Sequence, residues 1–206
     1  MENNKMRMLE GKLYNPEAKE LKELRTKAHN LFKIYNNLKD EDIKKRKKIL
    51  DELIPNKGNN VYMEGPIYID YGCNIRIGNN FYANFNLTIL DTCPVNIGDN
   101  VFIGPNVSIY TPLHPLIGEE RRIYLHSNGE FHDDEYGKPI NIGNDVWIAG
   151  NVTILPGVNI GDNVVIGAGS VVHDSLPKGY LCAGNPCKPI RKILKKDSIH
   201  NIKEIL

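Results

Sequence analysis

From Ile77 onward, aliphatic residues return along the chain at intervals of six. The longest run keeps one spacing and comprises Ile142, Ile148, Ile154, Ile160, Ile166 and Val172. A small residue follows most of these positions, and a second aliphatic residue occupies the fifth place of most repeats. Shorter runs with the same spacing are Ile97, Ile103 and Ile109 and, upstream of a two-residue slip, Ile77, Ala83 and Ile89.

A period of six is typical neither of a strand, which has period two, nor of an α-helix, which has period 3.6. A triangular coil fits this period, because each repeat supplies a short strand and a corner where Gly, Asn or Asp tolerates positive φ. Stacked coils then bury a continuous aliphatic core. A β-sandwich with glycine-rich turns would not hold the phase over six repeats. The pattern therefore predicts a mainly β fold built on a parallel β-helix.

Upstream of Pro55 the apolar spacing becomes helical. Asn15-Pro16-Glu17 predicts a helix start with Asn15 as the N-cap, and Asp40 predicts the cap of a second helix. The apolar positions of the two helices are Leu21, Leu24, Ala28, Leu31, Phe32 and Tyr35, then Ile43, Ile49, Leu50 and Leu53. We expect residues 16–54 to form a helical hairpin that packs on a larger body, because its apolar surface is too small for an independent fold.

These two patterns divide the 206 residues into three parts. Residues 1–55 form the predicted N-terminal helical segment, and residues 56–190 form the β-helix domain. Within that domain the repeat is interrupted by a long excursion over residues 115–141. Residues 191–206 remain as a short C-terminal tail.

Charge and composition narrow the range of partners. Lys and Arg number 26 against 25 Asp and Glu, so neither a nucleic-acid nor a membrane partner is expected. The basic run Lys44–Lys48 is interpreted as a solvated helix face, with a nucleic-acid or localisation patch as the alternative. No apolar stretch has the length of a signal peptide or a membrane span, which predicts a cytoplasmic protein. The four cysteines, Cys73, Cys93, Cys182 and Cys187, are predicted to be reduced thiols without a metal role.

Segments between the repeats carry a resemblance to a known family. They are GKLYNPEAKEL near the start, FYANFNLTILD at 81–91, IGDNVFIGPNVSIYTPLHPL at 97–116, EYGKPINIG at 135–143, VWIAGNVTILPGVNIGDNVVIGAGSVV at 146–172 and AGNPCKPIR at 183–191. The chain thereby resembles the hexapeptide-repeat acyltransferases, in particular the maltose and galactoside O-acetyltransferases. The resemblance implies a left-handed β-helix, a homotrimer with active sites between subunits, and acetyl transfer from acetyl-CoA, as co-substrate, to a sugar hydroxyl.

His114 is the predicted catalytic residue. A thioester is already activated, so the reaction needs a base that deprotonates the acceptor hydroxyl rather than a covalent enzyme intermediate. Imidazole takes and returns a proton near neutral pH, and His114 stands where the regular coils give way to the long excursion. The alternative is a polar corner residue, but the resemblance places the family's catalytic histidine at this position. Either Glu130 or Glu135 could orient the His114 ring.

The resemblance also implies a sugar-binding set, whose members are Tyr82, Asn84 and Asp91, with Asp70, Tyr136 and Glu135 as further candidates. Amide, carboxylate and phenol groups suit vicinal hydroxyls, and we expect the first three to lie close together on the coils. In galactoside-type relatives an acid near the N-terminus contacts the sugar. Its position here falls near Asn15-Pro16, and neither of these two residues is an acid.

For the acyl donor, the resemblance implies a site along the C-terminal coils. Its predicted members are Trp147, Gly150, Ala168, His173, Lys178, Lys188 and Arg191. Lys188 and Arg191 have the charge that phosphates need. Relatives have a Thr-Lys pair where this chain has His173-Asp174, and the carboxylate of Asp174 would repel phosphate, so Lys178 could substitute.

The excursion contains His126, His132, Asp133 and Asp134, which are metal-ligating residue types. Exposed loops rich in such residues are commonly just solvated, so no metal is expected.

Two alternative functions share the fold. One is acetylation of a xenobiotic, as in streptogramin or chloramphenicol acetyltransferases, and the other is a β-helix without catalytic activity that serves as a scaffold.

Overall fold

Short strands that wind repeatedly around one axis form most of the chain in the computed structural model, which describes residues 3–126 and 129–201. The strands in chain order are β1 (Asn56–Lys57), β2 (Val61–Met63), β3 (Ile67–Ile69), β4 (Ile75–Ile77), β5 (Phe81–Ala83), β6 (Leu87–Leu90), β7 (Val95–Ile97), β8 (Phe102–Ile103), β9 (Ser108–Tyr110), β10 (Pro112–Leu113), β11 (Tyr124–Leu125), β12 (Phe131–His132), β13 (Tyr136–Gly137), β14 (Ile140–Ile142), β15 (Trp147–Ile148), β16 (Thr153–Ile154), β17 (Asn159–Ile160), β18 (Val165–Ile166), β19 (Val171–Val172), β20 (Tyr180–Ala183) and β21 (Lys188–Lys192). Two 3₁₀ turns follow, Lys195–Asp197 and Ile199–Asn201.

Three parallel sheets make the faces of a triangular prism. Face 1 contains β1, β4, β7, β14 and β17; face 2 contains β2, β5, β8, β15, β18 and β20, with β21 added antiparallel; face 3 contains β3, β6, β9, β16 and β19. The chain visits faces 1, 2 and 3 in turn, so edge 1–2, edge 2–3 and edge 3–1 follow one another in every coil. This arrangement confirms the predicted parallel β-helix.

The six-residue spacing of the sequence matches the interior of the prism. Aligned positions on successive coils stack through the core, as Ile77 pairs with Ile97 and Ile97 with Ile142. Each of these side chains is at most 4% exposed. Burying such a column removes apolar surface from water at about 25 cal/mol per Å², which is the main force that holds the coils together.

Asparagines occupy many of the corners in the left-handed backbone conformation. Asn80, Asn100 and Asp145 have φ of 56°, 57° and 56°. Asn80 Nδ2 donates to Asn100 Oδ1 at 3.0 Å, and Asn100 Nδ2 donates to Asp145 Oδ1 at 3.0 Å. Because Asn and Asp tolerate this conformation better than other non-glycine residues, the corner composition supports the coil geometry.

Three helices precede the prism, α1 (Asn4–Leu9), α2 (Lys19–Asn36) and α3 (Ile43–Leu53). The predicted hairpin corresponds to α2 and α3, whereas α1 was not predicted. The predicted caps were wrong: α2 is capped by Ala18 and α3 by Asp42, neither through a side-chain hydrogen bond. Asn15 instead forms a tight turn before the helix, in which its Oδ1 accepts the Glu17 N–H at 2.8 Å.

The C-terminal residue of α2 closes the start of face 3. Asn36 Nδ2 donates to the Ile67 carbonyl at 2.8 Å, and the Ile67 N–H donates to Asn36 Oδ1 at 2.8 Å. One amide side chain therefore satisfies both backbone groups of an edge residue in β3. Next to it, the buried Tyr35 hydroxyl donates to the Met63 carbonyl at 2.5 Å.

At the other end, β21 turns back along β20, with Leu181 opposite Arg191. The predicted boundary at residue 190 therefore falls inside a strand, and the tail begins after Lys192. The described part of the excursion at edge 3–1 also contains strands. Its β13 pairs antiparallel with β10, which precedes the excursion, and β11 pairs antiparallel with β12. Strand β14 begins at Ile140, inside the predicted excursion. Among the described residues, no helix has the length and apolar character needed to cross a membrane.

Candidate active site

The excursion carries His114 out of the prism at edge 3–1. Leu113 pairs with Tyr136 in the short β10–β13 ladder, which holds His114 beside the residues that precede β13. The segment after α1 joins this ladder, because the Tyr14 N–H donates to the Glu135 carbonyl at 2.9 Å. Three separate stretches of chain therefore meet around His114.

Two carboxylates flank the imidazole of His114. Asp133 Oδ2 lies 3.4 Å from Nδ1, and Glu135 Oε1 lies 3.7 Å from Nε2. The histidine side chain is 47% exposed, whereas the Asp133 and Glu135 side chains are 22% and 21% exposed. A solvent-facing imidazole between two carboxylates can accept a proton, since both carboxylates stabilise the imidazolium that results.

Tyr14 fixes the position of Glu135. Its hydroxyl donates to Glu135 Oε2 at 2.5 Å, which leaves Oε1 facing His114. Burial raises the pKa of Glu135, and the Tyr14 hydrogen bond opposes that shift. Glu130, the alternative partner of His114, is directed elsewhere, because its Oε2 accepts the Asn15 side-chain amide at 2.9 Å. We call His114, Asp133, Glu135 and Tyr14 the base cluster.

Asp70 lies at the same edge of the prism. Its Oδ1 is 3.4 Å from His29 Nε2 on α2, and burial raises the pKa of its carboxyl. Arg25, also on α2, donates to the Tyr71 hydroxyl at 3.2 Å. Polar groups of α2 therefore reach this edge of the prism through Asp70 and Tyr71, and Tyr136 on β13 pairs with Leu113, the residue before His114.

Asp91 does not belong to a binding surface. Its side chain is completely buried, and its carboxylate oxygens accept the Tyr71 N–H at 2.8 Å and the Asn74 N–H at 3.3 Å. Burial raises the pKa of Asp91 to about 7. The prediction that it contacts a sugar was wrong, because its acceptor oxygens are used to close the corner at edge 3–1.

The other predicted sugar contacts lie elsewhere on the prism. Tyr82 stands on face 2, where it stacks on Tyr62 with ring centroids 6.2 Å apart, and Asn84 lies just beyond β5 at edge 2–3. The expected grouping of Tyr82, Asn84 and Asp91 was therefore wrong. These residues belong to one coil, and consecutive parts of a coil point to different sides of a triangle.

Several residues predicted to contact acetyl-CoA lie in the same part of the prism as Tyr82 and Asn84, on face 2 and at edge 2–3. Trp147 lies on face 2 and is 54% exposed. It pairs in register with Phe102 on the neighbouring strand, and Phe102 pairs in register with Tyr82 on the next strand. Gly150 and Ala168 lie at edge 2–3 on successive coils, where the Gly169 N–H donates to the Gly150 carbonyl at 3.0 Å. We call Tyr82, Asn84, Trp147, Gly150 and Ala168 the edge column.

The predicted phosphate contacts do not all lie together: His173 and Lys188 both contact Asp174, whereas Lys178 lies on another edge of the prism. Lys188 and Arg191 lie on β21, where Lys188 donates to Asp174 at 2.7 Å and Arg191 donates to Asp197 at 2.7 Å. His173 follows β19 on face 3, and its Nδ1 is 3.1 Å from Asp174. Lys178 lies at edge 1–2, next to Gly161, so face 2 separates it from Gly150 and Ala168.

The roles of Tyr14 and Asp133 were not predicted from the sequence. Tyr14 is separated from Glu135 by 121 positions, and the helical segment offers no periodicity that reports such a contact. The sequence identifies Asp133 only as a metal-ligating residue type. The alternation of side chains along the extended stretch 132–135 was the one available signal, because it places Asp133 and Glu135 on a common side.

Family profiles match three parts of the chain. The maltose acetyltransferase hexapeptide capping motif matches residues 7–58, which cover the end of α1 and all of α2 and α3. The bacterial transferase hexapeptide profile, of six repeats, matches residues 139–174. The hexapeptide repeat of succinyl-transferase matches residues 94–113. Fold and profiles together define a hexapeptide-repeat transferase.

Similar sequences and solved structures define the family to which the chain belongs within the hexapeptide-repeat transferases. A putative acetyltransferase of Saccharomyces cerevisiae is 50% identical over 90% of this chain and 88% of its own. The galactoside O-acetyltransferase of Escherichia coli is 43% identical over 96% and 93%. A maltose O-acetyltransferase from Clostridium difficile has a TM-score of 0.86 at 42% identity, over 94% of this chain and 99% of its own. A galactoside acetyltransferase solved with coenzyme A also has a TM-score of 0.86 at 42% identity, over 96% and 94%. The chain belongs to the maltose and galactoside O-acetyltransferase family, as its motifs predicted.

Proposed function

We propose that the protein transfers an acetyl group from acetyl-CoA to a hydroxyl group of a sugar, with His114 as the general base. The observation that carries this proposal is the base cluster, in which an exposed imidazole stands between two carboxylates at the mouth of the excursion. The names of the relatives support the acetyl transfer, and two related structures contain coenzyme A or acetyl-CoA.

In the proposed reaction both substrates are bound before any bond changes. His114 takes the proton of the acceptor hydroxyl as its oxygen attacks the thioester carbonyl, and the coenzyme thiolate leaves when the tetrahedral intermediate collapses. The imidazolium then returns the proton to the sulfur. Glu135, held by Tyr14, and Asp133 stabilise the imidazolium during this interval, so the carboxylates contribute through charge rather than by bonding to substrate.

The acceptor is proposed to lie over edge 3–1 beside His114, with Asp70, Tyr136 and Glu135 as its proposed contacts. Asp70 has an oxygen 3.4 Å from His29 and is partly shielded from water. A shielded carboxylate next to a potential cation is suited to accept hydrogen bonds from vicinal hydroxyls. This geometry favours a polyhydroxylated acceptor over an apolar xenobiotic.

One chain cannot complete this site. In a triangular prism, edge 3–1 lies opposite face 2, so the base cluster and Trp147 of the edge column are separated by the core. We infer a threefold assembly in which the base cluster of one copy meets the edge column of the next. Trp147, Gly150 and Ala168 of the edge column, with Lys188 and Arg191 beyond them, would then hold the donor. The base cluster, together with the predicted sugar contacts Tyr82 and Asn84 of the neighbouring copy, would hold the acceptor.

A thiol-release assay tests the proposal directly. Purified protein is mixed with acetyl-CoA and a panel that contains maltose, glucose, a galactoside, chloramphenicol and a streptogramin, and free coenzyme A thiol is measured with time. We expect thiol release only with sugars, and acetylated sugar as the second product by mass spectrometry. Release with the antibiotics alone would favour the xenobiotic reaction, and no release with any acceptor would favour a scaffold.

A further inference from the structure

Residues His132 to Glu135 present their side chains alternately to two sides of one extended segment. Asp133 and Glu135 face His114, as described above. His132 and Asp134 face the other way, toward His126 across the β11–β12 hairpin. The excursion therefore holds a second group of titratable side chains, which the proposed reaction does not use.

This second group has the composition and spacing of a metal site. His126, His132 and Asp134 each offer one ligand atom, and the three atoms lie within 4.8 Å of one another. The His132 residue is only 5% exposed. Its ring stacks on that of His126, with centroids 3.5 Å apart and planes inclined by 12°.

Each of the three side chains is also oriented by a second contact. The Asp133 carbonyl lies 2.8 Å from His132 Nδ1, and the His132 carbonyl lies 3.1 Å from His126 Nε2. The Tyr124 hydroxyl donates to Asp134 Oδ2 at 2.8 Å. Metal-binding histidines and carboxylates are commonly oriented by such contacts to a carbonyl or hydroxyl group.

We propose that His126, His132 and Asp134 bind one Zn²⁺ ion per chain. Two imidazoles and a carboxylate form a ligand set that Zn²⁺ accepts, with a water molecule as the fourth ligand. The lone pairs of parallel rings do not converge, so binding tilts one ring out of the stack. The ion would join β11 to β12 and so fix the segment that directs Asp133 and Glu135 at His114.

Counting metal tests the proposal without reference to acetyl transfer, so its failure would leave the proposed function untouched. Protein stripped with a chelator is dialysed against excess Zn²⁺ and then against buffer, and bound Zn²⁺ is measured by atomic absorption. We expect one Zn²⁺ per chain and a higher melting temperature.

His126→Asn and His132→Asn should lose the ion, while Tyr124→Phe, which removes only the orienting hydroxyl, should bind about 10 to 100 times more weakly. The exposed His200 provides the matched control, because His200→Asn should bind as the wild type does.

Three results would overturn the proposal. The first is wild-type protein that retains no Zn²⁺, and the second is full retention by both His126→Asn and His132→Asn. The third is loss of the ion only in His114→Asn, which would assign it to His114, Asp133 and Glu135, whose ligand atoms also lie within 4.8 Å of one another. If His132→Asn fails to fold, His126→Asn and Tyr124→Phe decide the outcome, because both change side chains that are more exposed.

Discussion

Asp70 and Asp91 lie at the same edge of the prism on successive coils, yet they have different environments. Asp70 keeps contact with solvent and with His29, whereas Asp91 turns inward to accept two backbone N–H groups. A carboxylate at a corner can therefore be available to bind a ligand, or it can accept hydrogen bonds from backbone N–H groups. The sequence contains no signal that separates these two uses, because both residues follow an aliphatic strand.

The burial of Asp91 makes a prediction about pH. Its pKa of about 7 in the folded protein exceeds the unfolded value of about 3.9, so the folded state holds a proton that the unfolded chain has released. The resulting stability is complete below about pH 4 and is lost as the pH rises through 7. In Asp91→Asn this titration is absent. The free energy of unfolding of the wild type, measured relative to Asp91→Asn, should fall by about 1 to 4 kcal/mol between pH 4 and pH 7 in denaturant titrations.

Parallel stability curves for the two proteins across this pH range would contradict the buried titration. The KM for the acceptor should be the same in both at a fixed pH, since Asp91 lies outside the binding surface.

The proposed base makes a second prediction. His114→Ala should lower kcat by about two to four orders of magnitude, because the acceptor hydroxyl loses the group that removes its proton. Thiol release with the preferred sugar measures the loss, and circular dichroism checks that the β-helix is intact. His200→Ala is the control for loss of an exposed histidine. A folded His114→Ala protein with near-normal turnover would exclude this mechanism.

At the scale of elements, the six-residue period predicted the coils because a coil is a local structure repeated many times. Aliphatic residues such as Ile148 and Ile154 define it without reference to distant parts of the chain. The site was harder to predict, because the contact between Tyr14 and Glu135 depends on how the helical segment packs on the excursion. The same limit explains the misplaced helix caps, since Asn15 bonds to its own turn and not to a helix.

The contact between Asp174 and Lys188 in the last coil leads to a prediction about the binding of acetyl-CoA. Asp174 neutralises Lys188 through a 2.7 Å contact, so it would compete with a phosphate group for the same ammonium. Asp174→Lys should lower the KM for acetyl-CoA with little change in kcat, because a remote phosphate contact stabilises ground and transition states equally. Asp174→Asn, which only releases Lys188, should have a smaller effect. Initial rates over a range of acetyl-CoA concentrations, at low and high salt, measure both.

An unchanged or raised KM for Asp174→Lys at low ionic strength would mean that residue 174 does not face the donor. The donor site would then have to be assigned away from Lys188.

At the scale of the whole molecule, the separation of the base cluster from the edge column makes a prediction about assembly. Light scattering should give about three times the chain mass of 23.3 kDa. His114→Ala and Trp147→Ala should each be nearly inactive alone. When the two are refolded together at equal amounts, every mixed trimer contains one interface with both native residues. Activity should therefore recover to about a quarter of the wild-type value.

Two results would contradict a shared site. One is a mixture that is no more active than the average of its two components. The other is an active species with the mass of a single chain.

The pairing of Asn36 with both backbone groups of Ile67 has a consequence for how the protein behaves in a crowded solution. A stack of similar coils could in principle be extended at either end. The strands of an exposed terminal coil have unpaired backbone N–H and C=O groups, to which a strand of another molecule can hydrogen-bond. At one end a single amide occupies the place where another strand would dock, and at the other end β21 covers face 2 by running in the opposite direction. Asn36 thus occupies the edge of face 3 at the first coil, and the antiparallel β21 ends the parallel stacking of face 2 at the last coil, so the addition of a strand from another molecule is disfavoured on these two faces.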